Sequence, residues 1–599
     1  RGLIEMFLAG VKSAVEYWRG RDYELDAWFP GYTVVSDESL LDEMVSAAVS
    51  TGAVAVDVEA TRDLDLYCVG VYVPGRPVYW IKRGALLDSR VGQAIRYIFE
   101  NVPVRVGHNV SFDTKVLRRC GLLADQEFSD DTFLMAHLLY PERSGLLGLK
   151  ELGQALFGIS PYWLERVGDK TVAHYVESSI QSLPDEHLAD YNSRDCALTW
   201  RLYEHLRPKL FDNKRLYNLY KHVVFPCSLI LSDISENGLL VDVQAANNLI
   251  DQINAEIQDL DKQLADIVGR TDINWNSPAQ VKQILYEQFK LPVKAITERG
   301  MPSTSEAALL PLLGKHPIIE LILRRRTLFK ALTVVKGLLD DLGDDGRIHA
   351  TFNICGTISG RSSSTPNVQN FERGSRIRRI IVAPPGHYLV EVDLSQIELR
   401  WMGRLYNEPT LESAMREGRD IHVQTAALAL QKDPSSVTKQ ERTLGKMANF
   451  ALGYGVGSRK LSIILRDVGE VTDNVAKSIL DSIGVKAGED PVYKLATVLS
   501  DAFHKQFPAI REAHLRIEAT LRRQGFVQSA FGRIFRVANI NAITHDEIRE
   551  AANFVVQSSA ADTLWLCLPF ISKVAKKFGA RLINVVHDSV LAEVPEDAA

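Results

Sequence analysis

Asp393 and Asp588 each close an apolar, strand-like run: Tyr388-Leu-Val-Glu-Val-Asp393-Leu-Ser-Gln-Ile-Glu398 and Leu582-Ile-Asn-Val-Val-His587-Asp588-Ser589-Val590. A carboxylate in such surroundings is costly unless a cation compensates it. Brought together, the two can hold a pair of Mg²⁺ ions, the arrangement that clamps the attacking and leaving oxygens of a phosphoryl transfer. Each aspartate alone would be read as a cap or turn residue. A second set of acids stands in the first third of the chain: Asp57 and Glu59, then Asp113 after Asn109, then Asp195 after Tyr191. A third pattern places Arg442, Lys446, Phe450 and Tyr454 at four-residue steps. Two cations at one end suit a triphosphate, and two aromatics at the other suit a base and sugar.

The elements that must position these groups are legible in part. The run Ala53-Val-Ala-Val-Asp57-Val-Glu59-Ala60 reads as a buried strand, so Asp57 and Glu59, two apart, share a face. Asn109-Val-Ser-Phe-Asp113 opens a helical pattern that sets its polar ends one turn apart. Tyr191-Asn-Ser-Arg-Asp195 repeats that spacing ahead of Ala197-Leu-Thr-Trp200. In this order the three segments resemble the exonuclease motifs of the DEDD superfamily, in its DEDDy branch. The resemblance implies an RNase H-like domain, a mixed sheet with helices, in which Asp57, Glu59, Asp113 and Asp195 hold two divalent ions. Tyr191 would orient the attacking water, and the substrate would be a single-stranded DNA 3′ end.

From Leu229 the pattern is helical, with Ser277-Pro278 suited to a helix start and Ser303 to Glu306 to a capping box. Ser277-Pro-Ala-Gln-Val, Pro302-Ser-Thr-Ser-Glu306 and Gly346-Arg-Ile-His349 resemble the thumb and adjoining palm of family A DNA polymerases. Thr357-Ile-Ser-Gly-Arg361 through Asn367, Gln369 and Asn370 is turn-rich and polar, and resembles the DNA-contacting loop before motif A in that family. Asp393-Leu-Ser-Gln396-Ile-Glu398-Leu-Arg400 matches motif A. The resemblance implies that Asp393 binds both metals, that the Leu394 carbonyl completes one shell, that Gln396 belongs to the nucleotide site, and that Glu398 filters the sugar. Gly418-Arg-Asp-Ile-His422 resembles a segment whose histidine touches the incoming triphosphate. Arg442, Lys446, Phe450 and Tyr454 match motif B of the fingers, a helix that closes over the nucleotide. Phe450 implies weaker acceptance of dideoxynucleotides than a tyrosine. Arg549, Asn553 and Gln557 share a helix face that in the family lies along the template-primer minor groove, where geometry is checked without reading sequence.

Motif C departs from the family. Val586-His587-Asp588-Ser589 stands where His-Asp-Glu is usual, and Ser589 cannot supply a carboxylate. Asp393 and Asp588 are therefore expected to be the only side-chain anchors of the polymerase metals, with His587 among the DNA contacts. Single-subunit RNA polymerases commonly carry His-Asp-Ser, so an RNA-synthesising enzyme is the main rival reading. Glu398, Phe450 and the exonuclease-like motifs favour deoxynucleotides and proofreading. A nuclease or repair factor with a vestigial polymerase body is a second rival; a scaffold would need neither acid set.

A chain of 599 residues with 46% hydrophobic and 24% charged residues belongs with ordinary multidomain globular proteins, about three to five domains. No segment is read as spanning a membrane. Residues 3 to 18 are interrupted by Glu5, Lys12 and Glu16, and are expected to form a helix rather than a signal peptide. Six scattered cysteines without CxxC or CxxH pairing argue against zinc and disulfides, and for a reducing compartment. A net charge of −6 says little about nucleic acid, but Arg324-Arg325-Arg326, Arg376-Ile-Arg378-Arg379 and Arg522-Arg523 could line a phosphate backbone. The expected division is an N-terminal helical extension (1–32), exonuclease domain (33–207), thumb (208–345), palm (346–415 and 540–599), and fingers (416–539) with an insertion near 467–504. No N-terminal 5′ nuclease is expected within these residues, and the chain is expected to continue beyond motif C in its full form. Expected partners are primer-template DNA and dNTPs. Two Mg²⁺ per site are expected, with Mn²⁺ as substitute. A monomer in the cytoplasm of a bacterial or phage-infected cell completes the reading.

Overall fold

The computed structural model describes residues 28–598 apart from 62–63, 87–88, 124–126, 144–145, 160–161, 163, 168–169, 174–182, 298, 372–373 and 469–470. The expected helix over residues 3 to 18 lies outside the described residues.

The N-terminal unit is built on a mixed six-stranded sheet. Its strands are β1 (Tyr32–Val34), β2 (Ala53–Ala60), β3 (Leu66–Tyr72), β4 (Val78–Lys82), β5 (Val104–Gly107) and β6 (Asp130–Asp131), in the order β1-β4-β3-β2-β5-β6. β2 runs antiparallel to β3 and parallel to β5. Val54, Ala55, Val56 and Val58 are all buried, which requires cover on both faces and explains why β2 is an unbroken apolar run rather than an alternating one. Helices α1 (Ser111–Arg119), α2 (Leu149–Phe157) and α3 (Asp185–Asp212) supply part of that cover. The close approach of α3 depends on a glycine. A Cβ at Gly70, which pairs with Asp57, would lie 2.5 Å from Asn192 Oδ1 and from Cys196 Sγ.

Helix α4 (Phe225–Asn237) links this unit to the rest. Its Leu231 and Ile234 share one hydrophobic core with Val56 of the first sheet and with Ile583 and Val590 near Asp588. Helices α5 (Val243–Val268) and α6 (Pro317–Asp340) form an arm whose far end has its own core around Leu264, Trp275, Leu285 and Ile318. Ser277-Pro278 does start a helix, Pro278–Lys282. The expected capping box at Ser303 does not form. Ser303 Oγ accepts from the Ser305 N–H at 3.2 Å, and the helix begins only at Glu306, without a side-chain cap. The basic triplet is largely structural: Arg325 is buried against Asp261 and Asn276, and Arg326 bonds the Thr304 carbonyl. Arg376 likewise pairs with Glu256, Arg378 with Glu391, and Arg522 with Glu518.

A second sheet holds β7 (His387–Asp393), β8 (Arg581–Val586) and β9 (Ser589–Pro595), antiparallel in the order β7-β9-β8. β7 is therefore an edge strand. Tyr388, Val390 and Val392 are exposed, and so is Asp393, which corrects the expectation of a carboxylate in apolar burial. Helices α7 (Ile397–Tyr406), α8 (Ile421–Leu430), α9 (Lys439–Gly453) and α10 (Pro491–Gln506) build a separate core around Met402, Leu444, Leu452, Leu495 and Phe503. By packing, α7 belongs with that core although sequence placed it in the palm. The stretch expected as an insertion is integral to the same core: Ala476, Leu480, Val492 and Leu499 all enter it. Helix α11 (His545–Lys577) joins both cores through Val556 and Trp565. It is long and apolar enough to cross a membrane, contrary to the sequence reading, but 61% of its apolar window is buried within the protein, as a core helix requires.

Candidate active sites

In the first centre, ligand atoms of Asp57, Glu59 and Asp195 lie within 4.8 Å of one another. β2 supplies the first two from one face, and α3 supplies the third. Burial, then the neighbouring charges of Asp113, Glu59 and Asp195, raise Asp57 well above the usual carboxylate range. Such crowding is relieved by a divalent cation, so this donor set fits a hard metal ion. Asp113, the fourth expected ligand, is turned toward the backbone: its Oδ1 accepts from the Val58 N–H at 3.1 Å, and burial pushes it up to about 7. Asn109 is not on a helix. It holds a left-handed φ of +60° ahead of α1, and its N–H donates to Asp131 Oδ1 at 2.9 Å.

Three groups that sequence missed complete this centre. Lys150, from α2, donates to Asp195 Oδ2 at 2.9 Å, bonds the Tyr191 hydroxyl and lies 4.3 Å over the Tyr191 ring. Burial opposes its charge, but Asp195, Glu59 and Asp57 together raise its pKa. Tyr162 donates to Asp195 Oδ1, and Asn192 donates to Asp57 Oδ2 at 2.7 Å. Asn192 had a signal, since it lies three residues before Asp195 on α3. Lys150 and Tyr162 had none.

The second centre lies where β7 ends. Asp393 pairs with Ser589 across the sheet, and the Leu394 N–H donates to the Asp588 carbonyl at 3.0 Å, tying the two aspartate-bearing loops together. His587 and Asp588 form the two-residue connection between β8 and β9. His587 at φ +54° and Gln396 at φ +53° both occupy the left-handed region disfavoured for side chains, a form of strain typical of functional loops. Burial, then the charge of Asp393, raises Asp588. An exposed Asp393 beside it suits a hard cation accessible from solvent, so this pair also fits a metal.

Glu398 is clasped from two sides, by the Arg361 guanidinium and the Tyr454 hydroxyl. Burial raises its pKa while Arg361 lowers it. Arg361, Gln396, Glu398, Phe450, His587 and Asp588 line one cavity of about 270 Å³. Arg361 itself sits on a strap. The Trp565 Nε1–H donates to the Gly360 carbonyl at 2.8 Å, and the Arg533 guanidinium, paired at 2.9 Å with buried Asp562, fills the space a side chain at Gly360 would need.

Helix α9 starts at a capping box between Thr438 and Glu441, and buries Leu444, Ala448 and Leu452. That leaves Arg442, Lys446 and Phe450 along its open side, with Tyr454 just past its end. Arg442 Nε bonds Asp420 at 2.6 Å. His422, expected at a triphosphate, is only 3% exposed and sits 3.0 Å from Asn449 Nδ2; burial pushes it down to about 4, so it is neutral. Gln369, expected at DNA, is 6% exposed and donates to the Val585 carbonyl at 2.6 Å, bracing β8 instead. Asn367 is exposed. Arg549, Asn553 and Gln557 are half-buried at four-residue steps on α11 and so form a polar stripe, the last two among buried neighbours.

Residues 243–599 match DNA polymerase family A, and residues 32–211 match a 3′-5′ exonuclease. The thermostable DNA polymerase I of Thermus filiformis is 34% identical over 418 residues, 67% of this chain and 46% of its own length. DNA polymerase I of Chloroflexus aurantiacus is 29% identical over 95% of this chain and 60% of its own. The chain thus spans about half the length of the first of these relatives. The POL domain of Pol1 from M. smegmatis, solved in complex with DNA primer-template and dNTP, shares the fold: TM-score 0.77 at 22% identity, covering 94% of this chain and 93% of that one.

Proposed function

The chain belongs to DNA polymerase family A and carries a 3′-5′ exonuclease domain, and from that footing we propose that it extends a primer 3′ end with dNTPs on a DNA template and excises mismatched ends. The observation that carries this is the pairing of two separate acid centres in one chain, the second of which adjoins the helix that carries Arg442, Lys446 and Phe450. Bound Mg²⁺, two ions per site with Mn²⁺ as substitute, would activate the attacking oxygen and neutralise the leaving group.

The chain's own residues account for the rest. Asp393, Asp588 and the Leu394 carbonyl would hold the cations of the polymerase site; Asp57, Glu59, Asp113 and Asp195 those of the exonuclease site. Arg442 and Lys446 bind the triphosphate, and Phe450 stacks on the base. Tyr454 and Arg361 fix Glu398 where a ribose 2′-hydroxyl would collide, which favours deoxynucleotides. Arg549, Asn553 and Gln557 track the minor groove. In the exonuclease site, Lys150 donates to the Tyr191 oxygen and so fixes the ring, and Tyr191 orients a water at a single-stranded 3′ end. A monomer acting in replication or repair, in the cytoplasm of a bacterial or phage-infected cell, completes the proposal.

Asp393→Asn should abolish primer extension while single-strand degradation persists, and Asp57→Ala should do the reverse. Loss of both activities from either substitution would sink the two-centre reading. An RNA-synthesising enzyme would incorporate NTPs as readily as dNTPs, and a competition assay separates the two.

A further inference from the structure

We propose that Glu391 is a third carboxylate of the polymerase centre, a positioning residue that takes the place of an acid at position 589; this rests on the polymerase reading above. Asp393 lies opposite Ser589, and Glu391, two residues earlier on β7, faces the same side of the sheet. The diagonal is bridged directly. Ser589 Oγ donates to Glu391 Oε1 at 3.0 Å, sharing its proton with the Val586 carbonyl at 3.1 Å. Arg378 Nη2 donates to the other oxygen, Oε2, at 2.8 Å. Ser589 directly follows Asp588, so one hydroxyl connects the Asp588 turn to a carboxylate on the Asp393 strand. Ser589 brings no charge itself, but it recruits one from across the strand pair, outside the two aspartates read as the metal anchors.

A hard divalent cation takes at least six oxygen ligands. Two aspartates and the Leu394 carbonyl leave positions to water, and a fixed outer carboxylate orients such water. A purely structural role makes a different prediction. If Glu391 only anchored Arg378, removing either partner would be equivalent, and moving the acid across the strand pair would restore nothing.

The test uses the full chain carrying Asp57→Ala, so that the exonuclease centre does not contribute. Mn²⁺ binding is followed by electron paramagnetic resonance with primer-template and dNTP present, alongside single-nucleotide incorporation. Glu391→Gln keeps the shape and removes the charge; Mn²⁺ Kd should rise about tenfold, with incorporation falling in parallel. The exchange Glu391→Ser with Ser589→Glu should return Kd to within about threefold of the parent, since outer-shell acids act by charge and placement. A Kd for Glu391→Gln within twofold of the parent, or an equal rise for Arg378→Gln with no recovery on exchange, would overturn the proposal. Asp393→Asn serves as the reference: if it binds Mn²⁺ and incorporates nucleotide like the parent, the polymerase reading itself has failed.

Discussion

Gly360→Ala tests the strap beneath Arg361. A Cβ at position 360 would lie 2.5 Å from Cζ and Nε of Arg533, and the backbone there holds φ +80°. Two costs follow. A non-glycine residue in the left-handed region costs about 1 kcal/mol. The methyl group must also displace a guanidinium whose side chain is 3% exposed and paired with Asp562 at 0%. Breaking a buried pair costs about 3–5 kcal/mol, so partial displacement should add about 2–4 kcal/mol. Gly386 supplies the control, since it has φ +75° with nothing within 4 Å of its Cβ, so Gly386→Ala carries only the first cost. Urea unfolding followed by tryptophan emission should therefore rank Gly360→Ala well below Gly386→Ala. The displaced Arg361 should also loosen Glu398, so NTP incorporation relative to dNTP should rise in Gly360→Ala alone. Equal urea midpoints for the two variants, with unchanged sugar discrimination, would refute the strap.

Gly70→Ala should push α3 off the sheet at Asn192 and Cys196, reducing exonuclease activity while primer extension continues; a gel scoring both activities checks this. Lys150→Met should slow single-strand degradation about 10–100-fold, the usual loss when a support of a metal ligand is removed, and a Tyr191→Phe background should absorb part of that effect. Burial pushes His137 down to about 3, so between pH 6.5 and about 3 the unfolded chain binds a proton that the folded chain refuses. Stability from this group is present above pH 6.5 and falls as pH drops, by about 1.4 kcal/mol per pH unit. His137→Leu should remove that slope, measured as the difference in urea midpoint from the parent across the same pH range.

Legibility in the sequence followed periodicity. Asp57 and Glu59 were placed by the two-residue period of β2, Tyr191 and Asp195 by the turn of α3, and Arg442 to Phe450 by the stripe on α9. Polar residues in irregular segments were not legible, because residue type does not say which way a side chain turns. Gln369 faces inward to Val585, while its neighbour Asn367 faces solvent. Arg325 reads as part of a basic patch and is instead a buried anchor for Asp261. Groups that arrive from distant segments, such as Lys150 at 45 positions from Asp195, leave no local signal at all.

The two centres solve opposite electrostatic problems, and their scaffolds reflect it. The acids of the first centre are buried between a sheet and α3, where burial and then repulsion raise Asp57; Lys150, Tyr162, Asn192 and the Val58 N–H hold them in register before any cation binds. Of the second pair, Asp393 stands exposed on an edge strand and Asp588 half-buried in a two-residue turn, where water moderates repulsion in part. Asp393 is exposed, so the precision of the pair must come from backbone and from the neighbouring strand: the Leu394–Asp588 hydrogen bond, the left-handed Gln396 and His587, and the Ser589 to Glu391 bridge. An open site of this kind gains discrimination from what closes over it. Glu398, which we propose excludes a 2′-hydroxyl, is held jointly by Tyr454 at the end of α9 and by Arg361 on the strap. Movement of α9 would then change sugar selection and nucleotide binding together, because one hydrogen bond belongs to both.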